Sequence, residues 1–259
     1  MGFKLFGTFI PYYGFFILIG IVCAFTSGYF LCKKLPLNID DYIIICAYLV
    51  SFGFAGAKIL YILISINNID FHSVFSSIKN FNNFFNSGFV FYGGLIGGFL
   101  ALFLVKKIHK IQIQHYIKII APCLALAHAF GRIGCSFAGC CYGKVTDGNI
   151  FFEYSESLVA PNGVHLFPVQ GIESFSLFCL FFLLALLLLK NKNTKTHIIY
   201  IIFYSVDRFI LEFFRGDIQR GIYGLFSTSQ IISLILFFTM ISYLFVKRCK
   251  KIISKNLKT

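Results

Sequence analysis

The sequence predicts an all-α integral membrane protein: about seven transmembrane helices with a small extracytoplasmic head, N-terminus out and C-terminus in. Three observations carry this. First, 58% of the 259 residues are hydrophobic and the mean hydropathy is +0.82, far above a soluble domain. Second, the apolar residues fall into seven runs at about 11–32, 41–66, 87–105, 115–141, 168–189, 197–214 and 229–246. Each is near the ~20 residues that a bilayer core requires. Third, the net charge of +13 is unevenly placed. Of 23 Lys and Arg, 14 sit in alternate connections: Lys33 and Lys34; Lys106, Lys107 and Lys110; Lys190, Lys192 and Lys195; and Lys247, Arg248, Lys250, Lys251, Lys255 and Lys258. The opposite connections, 67–86, 142–167 and 215–228, carry Lys79, Lys144, Arg215 and Arg220. Positive loops face the cytoplasm. This distribution excludes nucleic acid as the reason for the basic charge.

The first run has one early lysine, Lys4, and no small-x-small cleavage site, so it is expected to stay as an anchor. Cys23 follows Val22, which does not suit a lipoprotein cleavage motif. The Asn- and Phe-rich connection at 67–86 reads as an interfacial helix or as a solvated loop folded over the bundle. The fourth run is weakened by Pro122 and glycines, and 142–167 is long enough for a cap of one hairpin. The fifth run, with FSLFCLFFLLALLLL at 175–189, is the strongest. The sixth contains Asp207, Arg208 and Glu212 and is weak. The basic tail after the seventh is placed on anionic membrane lipids. No boundary or repeat interrupts the chain, so 1–259 reads as one polytopic membrane domain.

The most informative stretch is HAFGRIGCSFAGCCYG, His128 to Gly143. A charge inside a span costs roughly 2.5–3.5 kcal/mol on insertion scales, so Arg132 requires a partner or a polar ligand. His128 lies four residues earlier, on the same helical face. In VDRFILEFFRGDIQRG, 206–221, Arg208, Glu212 and Arg215 fall at i, i+4 and i+7 of one helix. Arg208 and Glu212 read either as a neutralising pair or as site residues. Arg215 reads as a site residue or a snorkelling anchor. Guanidinium groups from two helices aimed at one leaflet suit a phospholipid headgroup, because the guanidinium fork binds phosphate bidentately. Gln170 and Glu173 either cap the fifth helix or hydrogen-bond the site. Gly93/Gly97, Gly94/Gly98 and Gly139/Gly143 have the spacing of close helix packing. Of nine cysteines, only Cys135, Cys140 and Cys141 cluster. With His128 they offer up to four soft ligands, but C-x4-C-C is not a recognised zinc pattern, so no metal and no cofactor is expected.

These segments, in order, resemble the prolipoprotein diacylglyceryl transferase family. Tyr13-Gly14 is similar to its early YG, Gly56-Ala57-Lys58 to its GAR, and GFVFYGGLIGG at 88–98 to its HGGLIGG segment. HAFGRIGCSFAGCCYG is similar to its central GRIGNFINGELWG, PVQGIE at 168–173 to PSQLYE, RFILEFFRGD to RFxxExFR-x-D, and STSQIIS at 227–233 to its closing S-x-x-Q. Tyr92, Cys135 and Cys140 stand where the family has His, Asn and Glu.

The resemblance implies seven helices, a bacterial plasma (inner) membrane location, and phosphatidylglycerol and a prolipoprotein signal peptide as partners. It implies transfer of diacylglycerol to the lipobox cysteine, with a thioether formed and glycerol phosphate released. By residue, it implies that Arg132, Arg208 and Arg215 hold the headgroup and the leaving phosphate, with Glu212 orienting Arg208. Tyr13, Cys135, Gln170 and Glu173 are expected at the substrate. Tyr92, His128 and Cys140 are expected to share the chemistry. Tyr92, with a reference pKa of ~10, suits hydrogen bonding to a phosphate or ester oxygen, whereas the His128 imidazole, near ~6.5, suits taking the thiol proton. The rival expectations are a phospholipid-dependent transferase with another acceptor, and a non-catalytic lipid- or metal-binding membrane protein.

Overall fold

The computed structural model describes residues 2–5, 8–217 and 221–256. Arg220 and Lys258 of the charge pattern lie outside the described residues. In chain order the elements are strands β1 (Gly2–Leu5) and β2 (Thr8–Pro11) and helices α1 (Tyr12–Lys34), α2 (Ile39–Ser65), α3 (Phe71–Phe75), α4 (Ile78–Asn86) and α5 (Phe91–Ile108). There follow α6 (Ile113–Ala138), α7 (Val169–Lys190), α8 (Thr196–Leu211), β3 (Ile222–Tyr223), β4 (Phe226–Ser227) and α9 (Thr228–Asn256). The protein is therefore an all-α membrane protein with two small hairpins. Six helices are long and apolar enough to cross a bilayer: α1, α2, α5, α6, α7 and α9. The sixth sequence run is shorter than expected. Its helix α8 has 16 residues, about 24 Å at 1.5 Å per residue.

The chain divides into two compact units, Met1–Leu35 with Ile117–Thr259, and Pro36–Tyr116. In the first, α1 meets α6 at small residues. A Cβ at Gly20 would stand 2.9 Å from the Phe130 Cβ, and one at Gly134 would stand 3.3 Å from Phe16 and Tyr13. Phe16 stacks on Phe137 there, with ring centroids 5.0 Å apart. The fourth run is weak as expected, its mean hydropathy of 1.4 being the lowest of the six spans, but it is not broken, because α6 runs continuously through Pro122. Proline supplies no N–H to the carbonyl four residues back, which is Lys118. The Thr196 hydroxyl donates to that carbonyl oxygen instead, at 2.5 Å. Such outside donors are what let proline persist in membrane helices. The apolar core of this unit gathers Ala125 and Ala129 of α6 with Leu177, Leu180 and Leu184 of α7.

Between α6 and α7, residues 142–167 fold on themselves through isolated bridges. Leu166 bridges antiparallel to both Val145 and Phe152, over a core of Tyr154, Ala160 and Leu166. Ser157 Oγ accepts from the Ala160 N–H at 2.9 Å, and Asn162 Oδ1 accepts from the Ser157 N–H at 2.8 Å.

In the second unit, α2 starts at Asn38, whose side chain accepts from the Asp40 N–H at 2.7 Å, an N-cap. α2 and α5 cross where Gly56 faces Gly93 and Phe52 faces Gly97, so close that a Cβ on Gly56, Gly93 or Gly97 would strike backbone oxygen. The Gly93/Gly97 spacing is thus packing, and the GAK and YGGLIGG segments are two sides of one contact. The Val90 N–H also donates to the Ala57 carbonyl at 3.1 Å. Residues 67–86 are helical for the most part, in α3 and α4. Ile78 and Phe85 of α4 are exposed, as an interfacial helix would present them. Lys58 of α2 is buried beneath this segment. Its Nζ donates to the Phe84 carbonyl and, at 2.8 Å, to the Ser87 carbonyl, with the Phe84 ring centroid 3.9 Å away. A cation on the last carbonyls of α4 completes that helix and pins the segment.

Candidate active site

The site grows from four chain segments of the first unit. Helix α6 contributes Arg132 and then ends in a Schellman motif. The Gly139 N–H bonds to the Ser136 carbonyl at 3.3 Å, and the Cys140 N–H bonds to the Cys135 carbonyl at 3.2 Å. Gly139 has φ +70°, the left-handed conformation this motif needs, and a Cβ there would strike Ser157. The motif folds residue 140 back over residue 135. Cys141 then also takes a left-handed φ of +57°, unusual for a residue with a side chain. The result is that the sulfurs of Cys135, Cys140 and Cys141 lie within 4.8 Å of one another. The first turn of α7 contributes Gln170, whose Nε2 donates to the Cys140 carbonyl at 2.9 Å, and Glu173. The hydroxyl of Ser174 ties α7 to the Ala129 carbonyl of α6 at 2.9 Å. The end of α8 contributes Tyr204 and Arg208.

These residues form one alternating chain of charge. An Arg132 terminal nitrogen lies 3.0 Å from Glu173 Oε1, and Arg208 stands 3.8 Å from Glu173 Oε2. Arg208 meets Glu212 at 2.8 Å, and Arg215 approaches the same carboxylate at 3.8 Å. The Arg215 guanidinium also grips Asp217, with Nε donating to Oδ1 at 2.8 Å. Tyr204 donates to Glu173 Oε1 at 3.3 Å, and Arg208 donates to the Ser229 hydroxyl at 3.2 Å. Glu173 and Glu212 are almost wholly buried. Three arginines thus balance three carboxylates, which is how such charges persist at this burial. The Nε of Arg132 has no hydrogen-bond partner among the described residues.

The structure brings Arg132, Glu173, Arg208, Glu212 and Arg215 together and leaves Tyr92 in the other unit. Arg208 and Glu212 pair as expected, but they do not share one helix with Arg215. Helix α8 ends at Leu211, Glu212–Phe214 form a 3-10 turn, and Arg215 is extended, bridging to Gly143. The acidic side chains and the Gly143 bridge hold it in the site, so it is not a snorkelling anchor. Gln170 and Glu173 do not cap the helix, because Pro168 is the N-cap residue and no side chain caps it; Gln170 bonds to the Cys140 carbonyl and Glu173 pairs with Arg132. The fourth helix stops at Ala138, so Cys140 and Cys141 belong to the turn beyond it. His128 packs its ring edge-on to Tyr204, with centroids 4.9 Å apart. Tyr13 lies beside Gly134, one residue from Cys135. Tyr92 belongs to the second unit, in the first turn of α5, and is exposed.

Sequence reasoning did not name Tyr204, Asp217 and Ser229 as site residues, and it named Cys141 only as a member of the cysteine cluster. Cys141 is a cysteine on which the site acts strongly. Hydrogen bonds from the Cys135 and Cys140 thiols, helped by the Arg132 and Arg215 guanidiniums, hold its thiol well below the usual thiol range, against the opposing effect of burial. Its signal was available in Gly139, the residue that marks a helix C-terminus and sets up the fold-back.

Fold and site together define a polytopic membrane protein in which a charge-balanced arginine–carboxylate chain runs beside a cluster of thiols. The family model described as prolipoprotein diacylglyceryl transferase matches residues 1–246. The chain belongs to this family. It is 38% identical over 246 residues to the phosphatidylglycerol–prolipoprotein diacylglyceryl transferase of Clostridium tetani, covering 94% of each chain. It is 38% identical to transferase 2 of Clostridium perfringens, covering 90% of this chain and 89% of the other. To transferase 1 of the same organism it is 31% identical, covering 80% and 79%.

Proposed function

We propose that this protein transfers diacylglycerol from phosphatidylglycerol to the lipobox cysteine of a prolipoprotein in the bacterial plasma membrane. The observation that carries the reading is the arginine–carboxylate chain. Three guanidiniums converge from α6, α8 and the turn after α8, each already held by a carboxylate. A phosphate that enters can draw on the open Nε of Arg132. As the bond to the diacylglyceryl carbon breaks, the phosphate gains a second negative charge. Preorganised guanidiniums stabilise that charge more than the ground state, which is the condition for catalysis. Glu173 and Glu212 keep the arginines in place. A largely apolar recess of about 530 Å³, lined by Ile133, Phe137, Phe152, Phe175 and Phe178, suits an acyl chain.

In this reading Tyr92 hydrogen-bonds a phosphate or ester oxygen, and His128 accepts the thiol proton. Seven spans, with α8 as the sixth, one domain, an outward N-terminus and anionic lipid under the basic tail complete it. The test is transfer of labelled diacylglycerol from phosphatidylglycerol to a lipobox peptide by the purified protein. Thioether formed with the cysteine peptide, and none with its serine variant, is the expected result. No transfer with phosphatidylglycerol would favour the reading with another acceptor or a binding role. His128→Gln is expected to remove most activity and to shift the acid limb of the pH–rate profile, with Tyr92→Phe milder. An unchanged His128→Gln profile would make the histidine a packing residue. Orientation is tested at Asn149→Cys, which an impermeant maleimide should label in intact cells.

A further inference from the structure

We propose that Cys135, Cys140 and Cys141 form a zinc site whose fourth position takes the thiol of the acceptor peptide. The inference rests on the transferase reading for the identity of the fourth ligand, and on geometry alone for the site.

Three thiols, all free of disulfide, converge from a helix end and the two-residue turn that closes it. They form the one group of three metal-ligating side chains this close among the described residues. A tetrahedral zinc with Zn–S bonds of about 2.3 Å sets its sulfurs about 3.8 Å apart. The sulfurs here lie within 4.8 Å of each other, so side-chain rotations of about 1 Å close the site. The backbone is already committed to this arrangement. The Schellman bonds hold residue 140 over residue 135, and the left-handed Cys141 holds the third sulfur against them. A left-handed non-glycine residue is strained, and strain of this kind concentrates where geometry is used. The Cys140 carbonyl is fixed by Gln170, which supplies the outer hydrogen bond that ligand loops need. Zinc with three thiolates carries one net negative charge.

Three protein ligands leave one position open, as in catalytic zinc sites, where structural sites are closed with four. The chemistry proposed for this enzyme requires a thiolate, and a thiol bound to zinc is deprotonated. The peptide S–H proton passes through water to His128. The sulfur lone pair then attacks the diacylglyceryl carbon that carries the phosphate oxygen. One S–C bond forms, one C–O bond breaks, and the electron pair leaves with glycerol phosphate. The metal does not change oxidation state, and no oxidant is required. Two of the ligands, Cys135 and Cys140, occupy the positions where this sequence departs from its family. The departures are thereby one coordinated change and not separate losses.

The experiment uses the full chain in detergent, reduced and stripped of metal, with Co²⁺ and Zn²⁺ as probes. One Co²⁺ per chain, with the sulfur-to-cobalt charge-transfer band of a thiolate site, is expected, and Zn²⁺ should displace it. Cys135→Ser, Cys140→Ser and Cys141→Ser should each weaken binding by more than the roughly 10–100-fold lost with an outer partner. Cys179→Ser, on an exposed face, should bind normally. Because a variant can misfold, Zn²⁺ protection is measured on the unaltered chain. Alkylation mapped by mass spectrometry should spare these three of the nine cysteines. A lipobox peptide should change the cobalt spectrum, and its serine variant should not. Absence of the charge-transfer band, or equal alkylation of all cysteines with and without Zn²⁺, overturns the site. A spectrum indifferent to the peptide overturns the thiol's place in it. Full transfer by metal-free enzyme overturns the inference and leaves the transferase intact. Metal bound without any transfer overturns the transferase and leaves the site.

Discussion

Two regions of this protein match family motifs with similar density, and they bury their unusual residues by different physics. In the α2–α5 pair the motif glycines bring backbones into contact, and the one buried cation, Lys58, ends on carbonyl oxygens. The motif glycines and Lys58 there each have a partner, and the result is a fixed surface. Around Arg132 the buried cations end on carboxylates shared between two arginines, with spacings from 2.8 to 3.8 Å. That chain is neutral but not saturated, since Arg132 Nε has no partner among the described residues. Saturated polar groups hold a fold, and a balanced chain with an open donor can take up a charged ligand and release it. The motif glycines of the first region therefore mean packing, and the buried charges of the second mean chemistry.

The largest effect is expected from removing the shared carboxylate. Glu173→Gln leaves Arg132 and Arg208 facing a neutral amide, and breaking a buried pair typically costs 3–5 kcal/mol. Transfer to a lipobox peptide should fall by at least about 100-fold, the loss expected from one preorganised donor. Arg132→Lys keeps the charge but loses the fork and should fall similarly. Turnover near normal in both folded variants would move the chemistry away from this chain.

A bulky residue at the α2–α5 crossing tests the other side. Gly56→Leu would drive its side chain into the Gly93 backbone. Overpacking of this kind costs about 1–3 kcal/mol or more, and here backbone and not a side chain must yield. Reduced accumulation and a lower unfolding temperature in detergent are expected. The activity per folded molecule should hold. Gly14→Ala and Gly131→Ala meet nothing within 4 Å and should be silent in the same assay. A folded Gly56→Leu protein with lost activity would show that the crossing serves the reaction.

Lys58→Met is expected to matter less. It removes the cation from the end of α4 at a cost of roughly 1–2 kcal/mol, the upper range for a partly buried charge at a helix terminus. Limited proteolysis should cut more rapidly between residues 67 and 90, with transfer reduced by a small factor. Unchanged protease sensitivity would mean that the aromatic rings alone hold the segment.

These contrasts also explain what the sequence could disclose. The helices were legible because apolar runs near bilayer length have few alternatives. Arg132, Glu173, Arg208 and Glu212 were legible because charge inside such runs is rare. The length of α8 was not, because the apolar run continues past Leu211 while the backbone tightens into a 3-10 turn at Glu212. Asp217 lies beyond the end of α8 and Ser229 in the first turn of α9, and periodicity does not encode that both meet the arginines. The continuity of α6 through Pro122 depended on Thr196, distant in sequence, finding the Lys118 carbonyl. The meeting of three thiols depended on a left-handed cysteine, which no local preference favours.

The smallest effect is expected at Ser227→Ala, and it separates motif from mechanism inside the first unit. The S-x-x-Q segment is a capping box at the start of α9. Ser227 Oγ accepts from the Gln230 N–H at 3.2 Å, and Gln230 Oε1 accepts from the Ser227 N–H at 2.9 Å. Gln230 Nε2 also reaches the Phe209 carbonyl at 3.4 Å, tying α9 to the helix that carries Arg208. Replacing the capping serine should cost about 1 kcal/mol, seen as a small drop in the unfolding midpoint. Arg208 keeps Glu212 and Glu173, so transfer should change by less than about threefold, because a cap sets helix stability and not transition-state charge. A loss of activity larger than the loss of stability would mean that the closing motif, adjacent to Ser229 and its bond to Arg208, sets the position of that guanidinium during the reaction.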